Sequence, residues 1–485
     1  MKHLTFLPYI FSLITLVSCQ SQQSEYVEKF DWMVTTFQEN DAGYPFYVEA
    51  IGEDELDRHL KEYRKKVKEA GSEQELVVLM NEWLYYFRKG HIGVYPVSAK
   101  ELTDEAKDEI RAQYKDWERI EFNRSDFENY LNTQSIDPIE GIWQSGVNTI
   151  GIRKSAEADS FDAFIIEADS VYWMPGQINA QLERLDSVSY SMSYYTKNHV
   201  EKKSVAKWTN SSKSVVSMID VLWLRQYPVV EPNSVTEQLY HDFVSSREPF
   251  LRRLSDKTLY LRIPSFMREK KEAIDKLLAD NDNAIRSTQN LIIDIRYGTG
   301  GSDFSHYGLL PYYYCNPIRS IPLTFRATEL NAQEYESYAE FHQDSATKSR
   351  YIEMARMMRE SKEPYVGFGA QASVTRMPYA SKYPARVAII CNTRNGSADE
   401  GFLYMARQSY KVKVFGTPTI GAFDYSNVNP IEFPDGKWML WVAMSANKRL
   451  PVYKIDDIGI QPDFFIDDSV PESEWIPFVR DVIEE

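Results

Sequence analysis

The feature that most constrains this chain is a set of short apolar runs in its second half, alternating with helical stretches. Thr258–Ile263, Leu291–Ile295, Arg386–Ile390 and Val412–Gly416 each have the length and character of a strand. Strands that alternate with helices build an α/β domain. Leu291-Ile292-Ile293-Asp294-Ile295 is nearly all apolar, as in a strand of a parallel sheet covered on both faces. The intervening helices are expected around Arg268 to Asp280, in a longer stretch carrying Met354, Met357 and Met358, and from Ala398 to about Ser409.

The first half reads differently. Residues from about 26 to 130 are helical in pattern. Ser72 and Glu75 form a capping box, and Leu76, Leu79, Met80, Trp83, Leu84 and Phe87 recur at helical spacing to give one apolar face. Arg88 and Lys89 suit the negative end of that helix, with Gly90 as its stop and His91 just beyond. From about 138 to 230 the runs become short and β-branched, as in Thr149–Ile152 and Asp162–Ile166. That is a strand-rich module, either a small barrel or a sandwich. At 485 residues the chain exceeds one compact core. The expected fold class is therefore α+β and multidomain: a helical N-terminal domain over 19–130, a strand-rich module over 138–230 and an α/β domain over 246–485.

Composition narrows the function classes. The formal net charge of −16 argues against a nucleic-acid partner, because phosphate binding needs a basic face. The histidines are scattered, with no H-E-x-x-H and no Cys/His cluster, so no metal or other cofactor is indicated. Of three cysteines, Cys315 and Cys391 either pair or stay as thiols; Cys391 ends an apolar run and suits a buried free thiol. The third, Cys19, follows Lys2, His3 and an apolar stretch from Leu4 to Val17, which is too short for an ordinary membrane span and reads as a signal peptide over 1–18. Leu16-Val17-Ser18-Cys19 resembles the bacterial lipobox, which implies lipid on Cys19, a membrane partnership through that anchor, and a location in the cell envelope.

Three places can carry chemistry. Asn395-Gly396-Ser397-Ala398-Asp399-Glu400 lies between a buried strand and a helix, so it presents a serine hydroxyl at the carboxyl end of the sheet, with the Ala398 amide at a helix N-terminus. The same residues also match a capping box, with Ser397 serving helix amides only. Asp294-Ile295-Arg296-Tyr297-Gly298-Thr299-Gly300-Gly301 is a glycine-rich loop after a strand. It fails the dinucleotide pattern, because Asp303 stands at the third glycine position; an oxyanion-binding loop and a plain tight turn both fit. His91, taken alone, fits an ordinary surface or core histidine.

Together these segments resemble the C-terminal-processing and tricorn-like serine peptidases, family S41. The segments are Leu291–Arg296 with Gly300-Gly301, Ile389–Asn392 with Gly396–Glu400, Gly416-Thr417-Pro418-Thr419-Ile420-Gly421, Phe433–Lys437, and Gly459-Ile460-Gln461-Pro462-Asp463. The resemblance implies a ClpP/crotonase-like C-terminal domain that hydrolyses peptide bonds of proteins or peptides. It implies Ser397 as nucleophile, which needs a base at neutral pH, and an oxyanion hole from the amides of Ala398 and of Gly300 or Gly301. The processing branch uses a lysine where this chain has Ala422. The tricorn-like branch uses a histidine from the N-terminal domain, which matches His91, and an acidic residue that matches Asp456. That branch places a serine before the histidine, where this chain has Gly90, and its acidic residue is a glutamate. An active envelope peptidase and a non-catalytic peptide- or ligand-binding lipoprotein of the same fold are the two readings that follow.

Overall fold

The computed structural model describes residues 9–485 apart from 134–135, 158, 220, 343 and 368–371, with side chains from residue 23 onward. The stretch Leu4–Val17 read as a leader, and Cys19 read as a lipidation site, lie outside the residues described in full. Among the described residues, no helix is long and apolar enough to cross a membrane. The chain forms two compact units, and each gathers separate segments: 1–98 with 322–370 and 424–452, and 99–321 with 371–423 and 453–485. Contact thus cuts across the linear segmentation drawn from sequence.

The first unit packs helices on a small sheet. Helices Tyr9–Asn40, Glu53–Glu69 and Glu73–Tyr85 supply Phe30 and Phe37, Leu56 and Val67, and Trp83 and Leu84 in turn, which are buried with Leu440 and Val442 of the strand Trp438–Asn447. That strand pairs with Gly93–Pro96, Leu323–Arg326 and Tyr425–Glu432. The hairpin between Tyr425–Glu432 and Trp438–Asn447 turns through Gly436 at φ 70°, a left-handed conformation that glycine adopts without steric cost. Ser72 caps its helix by accepting from the Glu75 amide, as the pattern indicates. The helix nevertheless ends at Tyr85 rather than Lys89. Arg88 explains the early stop. Its side chain turns inward to Asp41 and to the carbonyls of Gly90 and His91, so it serves a buried turn and not the helix dipole.

The second unit holds a barrel and a sheet. Eight antiparallel strands, from Gly141–Ser145 to Val221–Tyr227, close into a barrel because the last pairs with the first. This decides between barrel and sandwich. Trp143, Phe161 and Tyr190 are fully buried there, so side chains fill the interior, as in other eight-stranded barrels.

The six-stranded sheet runs in the order Phe250–Arg253, Thr258–Arg262, Asn290–Asp294, Arg386–Cys391, Val412–Gly416, Phe464–Phe465. The first pair is antiparallel and the others are parallel. Leu291 and Ile293 face one core with Ile389 and Val414. Ile292 faces the other with Ile390, Phe415 and Trp475. Successive strand residues point to opposite faces, so a fully apolar run is what a two-sided core demands, and each buried Ile or Leu contributes about 1.5–3 kcal/mol. The expected helix after Met267 is a single 3-10 turn, Arg268–Lys270, followed by helix Lys271–Asp280. The helix after Ser397 ends at Ala406, short of Ser409. Cys315 and Cys391 are both free thiols, and burial pushes the Cys391 thiol well above its ordinary range.

Candidate active site

The carboxyl ends of the parallel strands carry both loops singled out from sequence. The strand Asn290–Asp294 runs into the glycine-rich loop, which is anchored from below. Asp294 accepts from the Arg296 backbone amide at 3.0 Å, from Arg296 Nη2 at 2.7 Å and from the Tyr260 hydroxyl at 3.0 Å. Burial alone would raise the Asp294 carboxyl, but the Arg296 guanidinium holds it below the usual carboxylate range. Arg296 Nη1 also donates to the Glu472 carbonyl at 3.1 Å, and the Tyr297 hydroxyl donates to Glu472 Oε2 at 2.7 Å. The loop then passes through positive φ at Tyr297, Gly300 and Gly301.

The strand Arg386–Cys391 runs into the serine turn. Asn395 fastens that turn to the glycine-rich loop. Its Nδ2 donates to the Ile295 carbonyl at 2.6 Å and to Asp399 Oδ2 at 2.8 Å, and its Oδ1 accepts from the Asn392 amide at 2.8 Å. Tyr297 N donates to Asn392 Oδ1 at 3.1 Å. The two loops are in van der Waals proximity: a Cβ added at Gly300 would lie 2.7 Å from Ser397 Cβ and 2.8 Å from the Gly396 carbonyl oxygen.

Ser397 sits at φ 58° and ψ −122°. These are the angles of the first central residue of a type II′ turn, a place glycine normally fills. A non-glycine residue held there costs of order 1–3 kcal/mol. Such a strand–turn–helix placement exposes a hydroxyl at the top of the sheet. The competing capping reading does not hold, because the Ser397 side chain makes no bond to the helix it precedes. Its intended partner is engaged elsewhere. Glu400 accepts from the Thr419 hydroxyl, from the Gly421 amide at 2.9 Å and from the Ala422 amide at 2.7 Å. The Ala422 carbonyl in turn accepts from Ser397 N at 3.0 Å. The position that carries lysine in the processing branch is thus a backbone brace for the serine.

Two amides expected to meet an oxyanion differ in their engagement. The Ala398 amide belongs to the first helical turn, whose N–H groups have no acceptor within the helix. The Gly300 amide donates to Asp399 Oδ2 at 3.2 Å, so in this state it is turned to a side chain and not to open space. Asp399 itself is buried, and burial raises its carboxyl to about 7, against the pull of Asn395 and of the Gly300 amide. Asp456 lies in the same unit. It is buried and accepts from the Phe423 amide at 2.6 Å through Oδ1.

His91 belongs to the other unit, at φ 56°. Its Nδ1 lies 2.6 Å from the Tyr425 carbonyl. A carbonyl only accepts, so Nδ1 carries the hydrogen and Nε2 keeps its lone pair. Burial lowers His91 to about 4; the Tyr425 hydrogen bond opposes this and the Arg88 charge adds to it. The imidazole is therefore neutral at pH 7. Arg88 pairs bidentately with Asp41, at 2.8 and 2.6 Å, and donates to the carbonyls of Gly90 and His91. Sequence reasoning placed Asn395 and Asp399 in the serine turn without a role, gave Arg88 to the helix end and overlooked Asp41. The Asn395/Asp399 pair had a signal in its i, i+4 spacing; Asp41 had none, since its partner stands far away in sequence.

A family model for peptidase family S41 matches residues 257–466. No curated protein matches the sequence. Among solved structures, mature CPAF complexed with lactacystin is similar with a TM-score of 0.51 and 12% identity, over 95% of this chain and 97% of that chain. Mature CPAF has a TM-score of 0.50 and 11% identity, over 95% and 96%. The photosystem II D1 C-terminal processing protease reaches a TM-score of 0.38 at 11% identity, over 94% and 96%. Likeness at these identities speaks for fold alone; the sequence match shows that residues 257–466 resemble peptidase family S41.

Proposed function

We propose that this chain is an active S41 serine peptidase of the cell envelope, with Ser397 as nucleophile and His91 as general base. The observation that carries the reading is Ser397 itself: a serine in a glycine-type conformation, between a parallel strand and a helix, with its hydroxyl relieved of capping. Strain of this kind persists only where surrounding structure enforces it, and it clusters at functional sites. His91 supports the reading from its own side, because its tautomer leaves Nε2 basic.

The chemistry follows from these groups. Ser397 Oγ attacks the scissile carbonyl carbon and its proton passes to His91 Nε2. The carbonyl oxygen becomes an oxyanion, received by the Ala398 amide with Gly301 or Gly300. Collapse expels the amine, which takes the proton from His91, and water repeats the cycle to free the acid. The resemblance assigns the acidic role to Asp456, but the Nδ1–H that such a partner would accept is taken by the Tyr425 carbonyl, so here the backbone orients the base. Lipid on Cys19, after removal of 1–18, would tether the enzyme to a membrane; mass spectrometry of the mature N-terminus tests that part alone.

The central test is fluorophosphonate labelling of the protein cut after Cys19, beside Ser397→Ala and His91→Ala. Labelling of the wild type and its loss in both variants is expected. A folded wild type that takes no label shifts the reading to a peptide-binding lipoprotein that keeps the fold.

A further inference from the structure

Asp399 and Glu400 are adjacent buried acids beside the nucleophile, and their hydrogen bonds are distributed in opposite ways. Glu400 receives donors on both oxygens: Thr419 and Gly421 on Oε1, Ala422 on Oε2. A carboxylate, with charge shared over two oxygens, requires that arrangement when buried. Asp399 receives Asn395 Nδ2 and the Gly300 amide on Oδ2, and the nearby Gly396 amide also pulls its titration down. Its Oδ1 is buried with no hydrogen-bond partner. One oxygen that only accepts, beside one that receives nothing, is the pattern of a carboxylic acid with its hydrogen on Oδ1. A buried neutral O–H without a partner also costs less than a buried charged oxygen without one. Burial raises both carboxyls, so the placement of the donors is what distinguishes the two acids.

We infer that Asp399 is a positioning residue held as a neutral acid, which steers the Gly300 amide beside Ser397 and slows the reaction when it ionises. The ionised form would act in two ways. It would tighten the hold on the Gly300 N–H and so withdraw that donor from an oxyanion. It would also place a buried negative charge next to the turn where negative charge develops. The ionisable groups that act on Asp399 are few. Glu400, on the same helix, raises it. Cys391, at the end of the neighbouring strand, and Arg262, on the strand beyond, feel its charge in turn. Burial and these neighbours bring its titration to about 7.

The stability signature has a definite sign. The folded carboxyl sits above its ordinary value of 3.8, so between these two values the folded chain binds more protons than the unfolded one. Stability therefore falls as pH rises through that window and levels off above about 7. Asp399→Asn cannot ionise and lacks this decline.

The experiment measures fluorophosphonate labelling rate and thermal midpoint from pH 5 to 9 for the wild type and Asp399→Asn. The rate arm rests on Ser397 being the nucleophile; the thermal arm does not. Wild-type labelling should fall about tenfold per pH unit above the Asp399 titration, while the Asn variant stays level there. The midpoint gap between variant and wild type should widen in favour of the variant from pH 5 to 7 and then hold. Parallel thermal and labelling profiles for the two proteins overturn the inference. A widening thermal gap with no labelling in either protein sinks the nucleophile reading and leaves the neutral acid standing. Asp399→Ser, which keeps a hydroxyl acceptor for Gly300 and does not ionise, replaces the Asn variant if that one fails to fold.

Discussion

Replacing Arg88 by Met should destabilise the unit that carries His91 far more than loss of an ordinary ion pair would. Arg88 and Asp41 are both 0% exposed in their side chains. Arg88 donates at 2.8 and 2.6 Å to Asp41, at 2.9 Å to the Gly90 carbonyl and at 3.2 Å to the His91 carbonyl. The variant removes all of these and leaves the Asp41 carboxylate with the amides of Gly43 and Ala443 alone. Breaking a buried pair from one side costs about 3–5 kcal/mol, against about 5–15 kcal/mol for a whole domain. The assay is hydrogen exchange over residues 73–92, which reads local opening free energy. Protection there should drop by about 3–5 kcal/mol, and Ser397 labelling should drop with it, because the turn that sets His91 is no longer tied down. Asp41→Leu combined with Arg88→Met should recover much of the protection, since two apolar groups replace the pair without leaving a buried charge. A loss under about 1 kcal/mol, the size seen for exposed pairs, would refute the argument that this pair holds the turn.

Two further outcomes follow from the geometry. Gly300→Ala would put a methyl group 2.7 Å from Ser397 Cβ at φ +84°, so labelling should fall at least about a hundredfold, the scale of losing one oxyanion donor, with folding retained by circular dichroism. His91 titrates below its ordinary 6.5, at about 4; the unfolded chain therefore binds the extra proton first, and the His91 contribution to stability is lost as pH falls from about 6.5 to 4, a slope that His91→Asn should flatten in a thermal-midpoint series.

The parts of this structure that the sequence made legible are those decided by local pattern. Leu291–Ile295 and Arg386–Ile390 read as strands because a sheet buried on both faces requires unbroken apolar runs. The strand-rich module was legible as strands but not as a barrel. Closure depends on pairing Gly141–Ser145 with Val221–Tyr227, a long-range contact that leaves no mark on either run. The end of the helix at Tyr85 was hidden for a similar reason: Arg88 is a good helix former locally, and only Asp41, distant in sequence, draws it away. Ser397 and Glu400 matched a capping box in spacing. What defeats the cap is tertiary, namely the donors of Thr419, Gly421 and Ala422 that occupy Glu400.

The departures from the family pattern acquire a physical meaning once these contacts are known. The resemblance sets a serine before the histidine, and this chain has Gly90. A serine there would bring a hydroxyl to the histidine; here the Gly90 carbonyl accepts from Arg88 Nε, while the His91 carbonyl accepts from Nη2 of the same guanidinium. Orientation of the ring passes to the backbone, with Tyr425 fixing Nδ1–H. Ala422 replaces a lysine, and its carbonyl and amide tie Ser397 N to Glu400. With no lysine at 422, the proposed base is His91, which its contact with Tyr425 holds in the Nδ1–H tautomer. At Gly90 and at Ala422, the departures from the family pattern are thus each met by backbone contacts that hold the neighbouring residue in place.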